Sequence, residues 1–293
     1  MLKNLSLALS TAAVIALTPI SANAETSPFD IFKVSSETSA GRVEFEHWEK
    51  YIRRVSVEER GRTLVAYDAL KDDNGAYLQN YINYLETLNV SALDKDDQLA
   101  FWLNARNILV VKAISEEKSL NGFDSRRGTA TEPGDMWTQK RITINGVELS
   151  IHDIEQSILL ANWDNPDIVF GLYQGVNNTP VLPRTVFVGN KVHAQLELAA
   201  KEFLSDKDVL RVRKKDVRLG EFFKLYETSL FNGDQNALLS HLATRAPGVD
   251  AISPDLKVKY KSLPSRFESF RPRQQPSADT FDSFGGGNIA RGS

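Results

Sequence analysis

Apolar residues recur at helical spacing through the first half of the chain. The segment "VEFEHWEKYIRRV" places Phe45, Trp48, Tyr51 and Ile52 three or four residues apart or adjacent, which predicts an amphipathic helix. The segment "GAYLQNYINYLETL" repeats this pattern. The segment that follows, "DKDDQLAFWLNARNILVVKAI", is apolar on nearly every side of its centre, and this predicts a helix that is buried on most sides. Its acidic start suits a helix N-terminus, where the helix dipole favours negative charge.

The clearest strand signal is the segment "RITINGVELSI". Two runs of alternating apolar and polar residues flank Asn145-Gly146, the pair preferred in tight hairpin turns. Ser150 and Asp153 then have the spacing of a capping box at the start of the helix predicted over "IHDIEQSILLAN". We therefore predict a β-hairpin that leads directly into a helix.

The second half of the chain mixes short predicted strands with helices. The runs "IVFGLY" and "VLRVR" are predicted as strands, and "KVHAQLELAAKEFL", "LGEFFKLYETSLF" and "QNALLSHLATRA" as helices. The first of these strands leads into the polar turn "QGVNNTPVLP", residues 174–183, and loops of this kind often carry functional residues. Because helices outnumber strands, the predicted fold class is α+β, mostly helical with a small antiparallel sheet.

The two ends of the chain differ in composition from its middle. Residues 1–24 have a basic start, an apolar stretch and a small-residue end, the pattern of a secretory signal peptide with cleavage expected after Ala24. Residues 25–41 are polar and turn-rich, and we expect a flexible leader there. Residues 271–293 lack periodicity and are rich in Gly, Ser and Pro, which predicts a disordered tail. We expect residues 42–270 to form a single α+β domain that is periplasmic or secreted.

Composition excludes several classes of function. The chain has no cysteine among its 293 residues and a formal net charge of −3, so it has no thiol nucleophile, disulfide or thiolate metal ligand. The negative charge argues against a nucleic-acid partner. Beyond the signal segment, no apolar run approaches the length of a membrane span, so stable membrane insertion is not expected. Neither a metal nor a cofactor is predicted, because the sequence has no histidine spacing suited to a metal and no Gly-rich phosphate loop between a strand and a helix.

Four blocks of the sequence resemble a known family. The segments "GRTLVAYDAL", "LAFWLNARNILVV", "NGVELSIHDIEQSIL" and "GVNNTPVLP" are similar, in order and spacing, to blocks of the domain-of-unknown-function 547 (DUF547) family. The resemblance runs from about Arg42 to Pro183, and more weakly to about Ala246. Typical members have "FWINAYNAL", "LSLNDIEHGILR" and a Cys-Pro turn after a strand, which are residue types suited to thiol catalysis. By analogy, the resemblance implies a papain-like or transglutaminase-like scaffold.

This sequence departs from the family pattern where the chemistry would be. Gln156 stands at the position of the family histidine, and Thr179 at that of the cysteine. A glutamine does not shuttle protons near neutral pH, and a threonine hydroxyl needs a strong neighbouring base to act as a nucleophile. Arg106 also replaces the aromatic residue that relatives usually have. The resemblance therefore carries over a frame of candidate binding residues in which no catalytic pair is complete: Asn104, Asn107, Glu155, Gln156, Asn178 and Thr179, beside Pro180.

Two hypotheses for the function follow. The first is an exported, non-catalytic binding or interaction protein with an unknown envelope ligand or protein partner. The second is an envelope hydrolase or acyl transferase in which Thr179 is the nucleophile and His152 the base. His152 lies one helical turn before Gln156, a shift of about 5–6 Å along the axis, whereas catalytic geometry tolerates about 1 Å. We favour the first hypothesis, in which His152 is partly exposed and chemically idle.

Asn104 and Asn107 are expected on one face of the buried helix, since they are three residues apart. Buried amides need partners, because an unpaired polar group costs about 1–3 kcal/mol. We expect them to hold the irregular backbone of the turn at 175–183. The alternative is that one of them donates to a substrate, for example as an oxyanion stabiliser.

Overall fold

The structure is a computed structural model that describes residues 27–71, 73–117, 132–247, 252–262 and 266–270. The predicted signal peptide and the predicted disordered tail lie outside these residues. Within the described ranges the α-helices are α1 (Glu46–Val55), α2 (Asp73–Glu86), α3 (Lys95–Glu116), α4 (Asp135–Thr138), α5 (Leu160–Asn162), α6 (Val192–Leu204), α7 (Glu227–Phe231) and α8 (Gln235–Arg245). None of the helices in these ranges is long and apolar enough to cross a membrane.

The strands of the described residues form three small sheets. They are the hairpin of β1 (Ser56–Glu59) and β2 (Arg62–Val65), the hairpin of β3 (Lys140–Ile144) and β4 (Val147–Ser150), and a three-stranded sheet of β5 (Leu210–Val212), β6 (Asp216–Gly220) and β7 (Lys257–Lys261). In the third sheet β6 pairs antiparallel with β5 and parallel with β7. The predicted class is confirmed: the fold is α+β and mostly helical, with small sheets.

Helix α3 forms the centre of the core. Asp94 caps it, and its side chain accepts hydrogen bonds from the main-chain N–H groups of Asp96 and Asp97. Every residue from Gln98 to Val111 is buried, because α2, α6 and a π-helical stretch at Asp153–Leu159 all pack against this helix. The sequence prediction of a helix surrounded on most sides is confirmed.

The predicted hairpin and capping box are confirmed. Asn145 and Gly146 have φ angles of 48° and 81°, the left-handed pair that a two-residue hairpin turn requires. The main-chain N–H of Ser150 donates to Asp153 Oδ2 at 2.7 Å, and the N–H of Asp153 donates to Ser150 Oγ at 3.0 Å. The helix that begins here becomes π-helical at Asp153–Leu159, and such distortions are frequent at functional sites.

The predicted strand over "IVFGLY" was wrong. Pro166–Gly171 is a 3-10 helix, capped by the Asn165 side chain, which accepts from the Asp167 N–H at 3.0 Å. A short apolar run does not by itself distinguish a buried strand from a buried helical turn. Here the preceding Asn-Pro-Asp has the residues of a helix start, with a cap followed by proline at the first helical position.

Two other local predictions differ from the structure, and some strands were not predicted. The helix expected over "LGEFFKLYETSLF" is divided, because its first two residues end β6 and a 3-10 helix at Glu221–Leu225 precedes α7. The β1–β2 hairpin, β6 and β7 were not predicted. The flexible leader expected at 25–41 also differs from the structure, which has a capped 3-10 helix at Pro28–Lys33. Phe32 of this helix is buried against the ring of Trp102, with ring centroids 5.0 Å apart.

Candidate functional site

The polar turn at 174–183 depends on two residues with left-handed backbone. Gly175 has a φ of 82° and Asn178 a φ of 61°. A Cβ at position 175 would overlap the side chain of Ile114 on α3, so this glycine is needed both for its backbone angle and for its close contact with the core. Asn178 is half-buried, and asparagine is among the few other residues that adopt this conformation readily.

The two asparagines of α3 hold the backbone on both sides of this turn. Asn107 Nδ2 donates to the carbonyl of Gly171 at 2.8 Å, and Asn107 Oδ1 accepts from the N–H of Tyr173 at 3.2 Å. Asn104 makes the same pair of bonds to Phe187, donating at 2.8 Å and accepting at 3.0 Å. Both amides thus bind main-chain groups, which supports the positioning role expected from the sequence.

Arg106, on the same helix, is wholly buried. Its Nη2 donates to Glu155 Oε2 at 2.7 Å, and its Nη1 donates to Asn107 Oδ1 at 3.1 Å and to the carbonyl of Tyr173. The guanidinium carbon also lies 5.4 Å from the centre of the Trp137 ring. Arg106 is therefore the cation that pairs with Glu155.

Glu155 is the centre of a polar network. Its Oε1 accepts from the hydroxyl of Tyr226 at 2.9 Å and from Gln156 Nε2 at 3.2 Å, and Gln174 Nε2 donates to the Tyr226 hydroxyl at 3.0 Å. Gln156, the position of the family histidine, therefore lies within this network. Sequence reasoning missed Tyr226 and Gln174 as members. For Tyr226 no local signal existed, because it joins Glu155 from 71 residues away.

Thr179 takes no part in the hydrogen bonds of this network. It is buried, its hydroxyl donates to the carbonyl of Val176 at 2.6 Å, and its own carbonyl accepts from Arg62 Nη2 at 2.8 Å. His152 is half-buried at the start of its helix. The hydrogen bond of the Thr179 hydroxyl thus goes to a main-chain carbonyl and not to an imidazole.

A short C-terminal segment, residues 266–270, crosses the turn; we refer to it as the strap. Its main chain binds β2 on one side, where the Val65 N–H donates to the carbonyl of Glu268 at 2.8 Å. On the other side it binds the turn: the Glu268 N–H donates to the carbonyl of Gly175 at 3.2 Å, and the Asn177 N–H donates to the carbonyl of Arg266 at 2.9 Å. The strap therefore links the turn to β2.

The side chain of Glu268, in the middle of the strap, is buried. It pairs with Arg62, and its Oε2 has no hydrogen-bond partner among the described residues. Burial raises the pKa of Glu268 to about 7, although the neighbouring Arg62 guanidinium acts in the opposite direction. The hydroxyls of Tyr67 and Tyr173, themselves 2.8 Å apart, also lie near enough to interact electrostatically with Glu268. Sequence reasoning did not single out Glu268.

Two side chains of α8 lie against the buried carboxylate of Asp167. His241 Nε2 lies 3.0 Å from Asp167 Oδ1, and Arg245 Nε donates to Asp167 Oδ2 at 2.8 Å. Burial acts to raise the pKa of Asp167, but His241 and Arg245 outweigh it and hold this pKa below its ordinary value. In the part of the chain that the structure describes, no group of three or more His, Asp and Glu side chains could hold a metal ion.

Comparison with known families agrees with the sequence motifs. The family model described as "Protein of unknown function, DUF547" matches residues 90–204. This range includes the two asparagines of α3, the Glu155–Gln156 pair and Thr179, whereas Tyr226 and the strap lie beyond it. No curated protein and no solved structure matches the chain. The papain-like or transglutaminase-like analogy stays a prediction.

Proposed function

We propose that this chain, which belongs to the DUF547 family over residues 90–204, is an exported, non-catalytic binding or interaction protein. Its scaffold is that of relatives that have Cys and His at two matching positions. Its partner would be a ligand or a protein of the cell envelope.

The observation that carries this proposal is the hydrogen bond from the Thr179 hydroxyl to the carbonyl of Val176, at 2.6 Å. A hydroxyl nucleophile needs a base that takes its proton, and a peptide carbonyl is not such a base. The other matching position is engaged as well, since Gln156 Nε2 donates to Glu155. Both side chains therefore make hydrogen bonds within the fold.

The strap supports the same conclusion. An acyl-transfer site needs N–H donors directed at the developing oxyanion. In this turn the N–H of Asn177 donates to the carbonyl of Arg266 instead. The Asn177 N–H is therefore occupied by the strap and is not free to stabilise an oxyanion beside position 179.

Hydrolysis of p-nitrophenyl acetate, a simple activated ester, tests the absence of catalysis. We would compare the full chain with its Thr179→Ala and His152→Ala variants, using Thr244→Ala and His193→Ala as matched controls on other elements. We expect the same slow rate from all five proteins. A loss of rate in both Thr179→Ala and His152→Ala, but in neither control, would instead support the hydrolase or acyl transferase that uses this pair.

Export is tested by the intact mass of the protein recovered from its native host. We expect a chain that begins at Glu25, because the small-residue end of the predicted signal peptide stops at Ala24. A chain that retains Met1 would contradict this part of the proposal.

A further inference from the structure

A groove of about 740 Å³ lies beside the candidate site. It is lined by the β1–β2 hairpin, by residues 181–185 at the end of the polar turn and just after it, and by the second half of α6. Its volume is within the range of about 300–1,000 Å³ that is usual for small-molecule sites. Arg62, which binds the carbonyl of Thr179, is also part of its wall.

Four arginines line this groove, and two of them have no carboxylate partner in the described ranges. Arg62 pairs with Glu268, and Arg53 pairs with a glutamate of its own helix. Arg184, by contrast, donates only to main-chain carbonyls at the end of α1, and its buried Nε has no acceptor. Arg60 is exposed, with no ion pair in the described structure. The positive charge of Arg60 and Arg184 is therefore free to bind an anion.

The backbone of Arg60 gives a second reason to consider this wall functional. Arg60 has a φ of 52° at the tip of the β1–β2 hairpin, beside Gly61. Asn, Asp and Gly are the usual residues at such a position. A bulky side chain there is strained, and strained backbone is concentrated at binding and catalytic sites.

One part of the groove wall is apolar. Its buried lining includes Phe170, Leu182, Phe187 and Phe203. Leu198 on α6 also lines it and is 56% exposed, which makes it one of the few large apolar side chains that face solvent in the described residues. An alkyl or aryl group packed here would remove this exposed apolar surface from water.

We propose that the groove binds an amphiphilic anion, an alkyl or aryl chain that ends in a carboxylate or a phosphate group. The anionic group pairs with Arg60 and Arg184, and the apolar chain packs on Leu198 and the phenylalanines. This inference rests on the proposed binding function and names its ligand class.

Three carboxylates also line the groove: Glu58, Glu202 and Asp206. All three are exposed, as Arg60 is, so water solvates these charges and each adds only a little to the binding of an ion. Arg184 is half-buried, and its charge is less well solvated. An anion therefore gains more from the groove than a cation of the same shape.

Calorimetric titration of the full chain with four probes tests this selectivity. The probes are dodecanoate, dodecyl phosphate, dodecyltrimethylammonium and acetate. The three dodecyl compounds are used below their micelle concentrations. We expect at least one of the dodecyl anions to bind, and the one that binds identifies the headgroup. The cation and acetate should bind at least tenfold more weakly. Equal binding of the cation, or no binding of either dodecyl anion, would overturn the proposal.

Variants locate the site. Arg60→Gln, an exposed change that leaves α1 untouched, should weaken anion binding about two- to fivefold, and Leu198→Glu at least tenfold. Lys215→Gln, which removes an equivalent charge from the turn between β5 and β6, is the matched control and should bind as the wild type does. Unchanged binding in Arg60→Gln would overturn the inference. Because ester hydrolysis is measured separately, activity that depends on Thr179 would reject the proposed function without rejecting this site.

Discussion

The guanidinium of Arg106 and the carboxylate of Glu155 form a buried ion pair, with Nη2 and Oε2 2.7 Å apart. This pair joins the central helix α3 to the π-helical stretch that also holds Gln156. Arg106 is fully buried and Glu155 is 13% exposed, so neither charge is well solvated without the other. Arg106 and Glu155 therefore depend on each other for their place in the core.

We predict that Arg106→Ala lowers the free energy of unfolding by about 3–5 kcal/mol, because it leaves the carboxylate of Glu155 without its cation. It also removes the donor to the carbonyl of Tyr173. Urea unfolding measures the change. The double variant Arg106→Met with Glu155→Leu should be less destabilised than Arg106→Ala, since it removes both charges. A loss below about 1 kcal/mol in Arg106→Ala would show that the pair contributes little.

We predict that Asn107→Leu destabilises the fold more than Thr179→Ala does. The first change leaves the Gly171 carbonyl and the Tyr173 N–H without their partners in the core. Each unpaired group lowers the free energy of unfolding by about 1–3 kcal/mol. The second removes one hydrogen bond to Val176, worth about 0.5–1.5 kcal/mol. Urea melts of both variants give the comparison, and equal losses would contradict the positioning role of Asn107.

We predict a pH dependence that arises from Glu268. Burial raises its pKa from the ordinary 4.5 to about 7 in the folded protein, so the folded state binds the proton more tightly than the unfolded state. The contribution of Glu268 to the free energy of unfolding is fully present below pH 4.5, and it is lost as the pH rises to about 7. The difference between the two pKa values corresponds to about 3 kcal/mol.

Urea unfolding of the wild type and Glu268→Gln at several pH values between 4.5 and 7.5 measures this effect. The stability of the wild type should fall relative to the variant across the interval, because Gln does not titrate. Asp167 has a pKa below its ordinary value and is shared by both proteins, so its contribution cancels. A constant difference between the two proteins would mean that Glu268 titrates normally.

We predict that Thr179→Cys combined with Gln156→His introduces a reactive thiol, whereas Thr179→Cys alone introduces an ordinary one. A free thiol has a pKa of about 8.5, and a paired imidazolium lowers it. The chain has no other cysteine, so iodoacetamide alkylation reports this thiol without background. The double variant should react much faster near pH 6. Thr179→Cys with Gln79→His, which places the imidazole on α2, is the matched control, and identical pH profiles for all three would show that positions 156 and 179 are not neighbours.

Local sequence determined the features that depend on neighbouring residues. The Asn145-Gly146 turn, the reciprocal cap between Ser150 and Asp153, and the buried helix α3 were all predicted. Each has its cause within a few residues: left-handed angles in a two-residue turn, a side chain that binds a main-chain N–H three residues away, and apolar residues around a whole helix. The blocks that resemble DUF547 also supplied the candidate binding residues, whose binding role stays a prediction.

Only the tertiary structure decided which groups meet across the chain. Glu268 reaches Arg62 over 206 residues, and Tyr226 reaches Glu155 over 71, and neither pairing has a local pattern. The run "IVFGLY" lies for most of its length in the 3-10 helix Pro166–Gly171, which packs against α6, although its apolar residues suit either conformation. Periodicity records which face of an element is buried, whereas the partner that buries it depends on packing between segments distant in sequence.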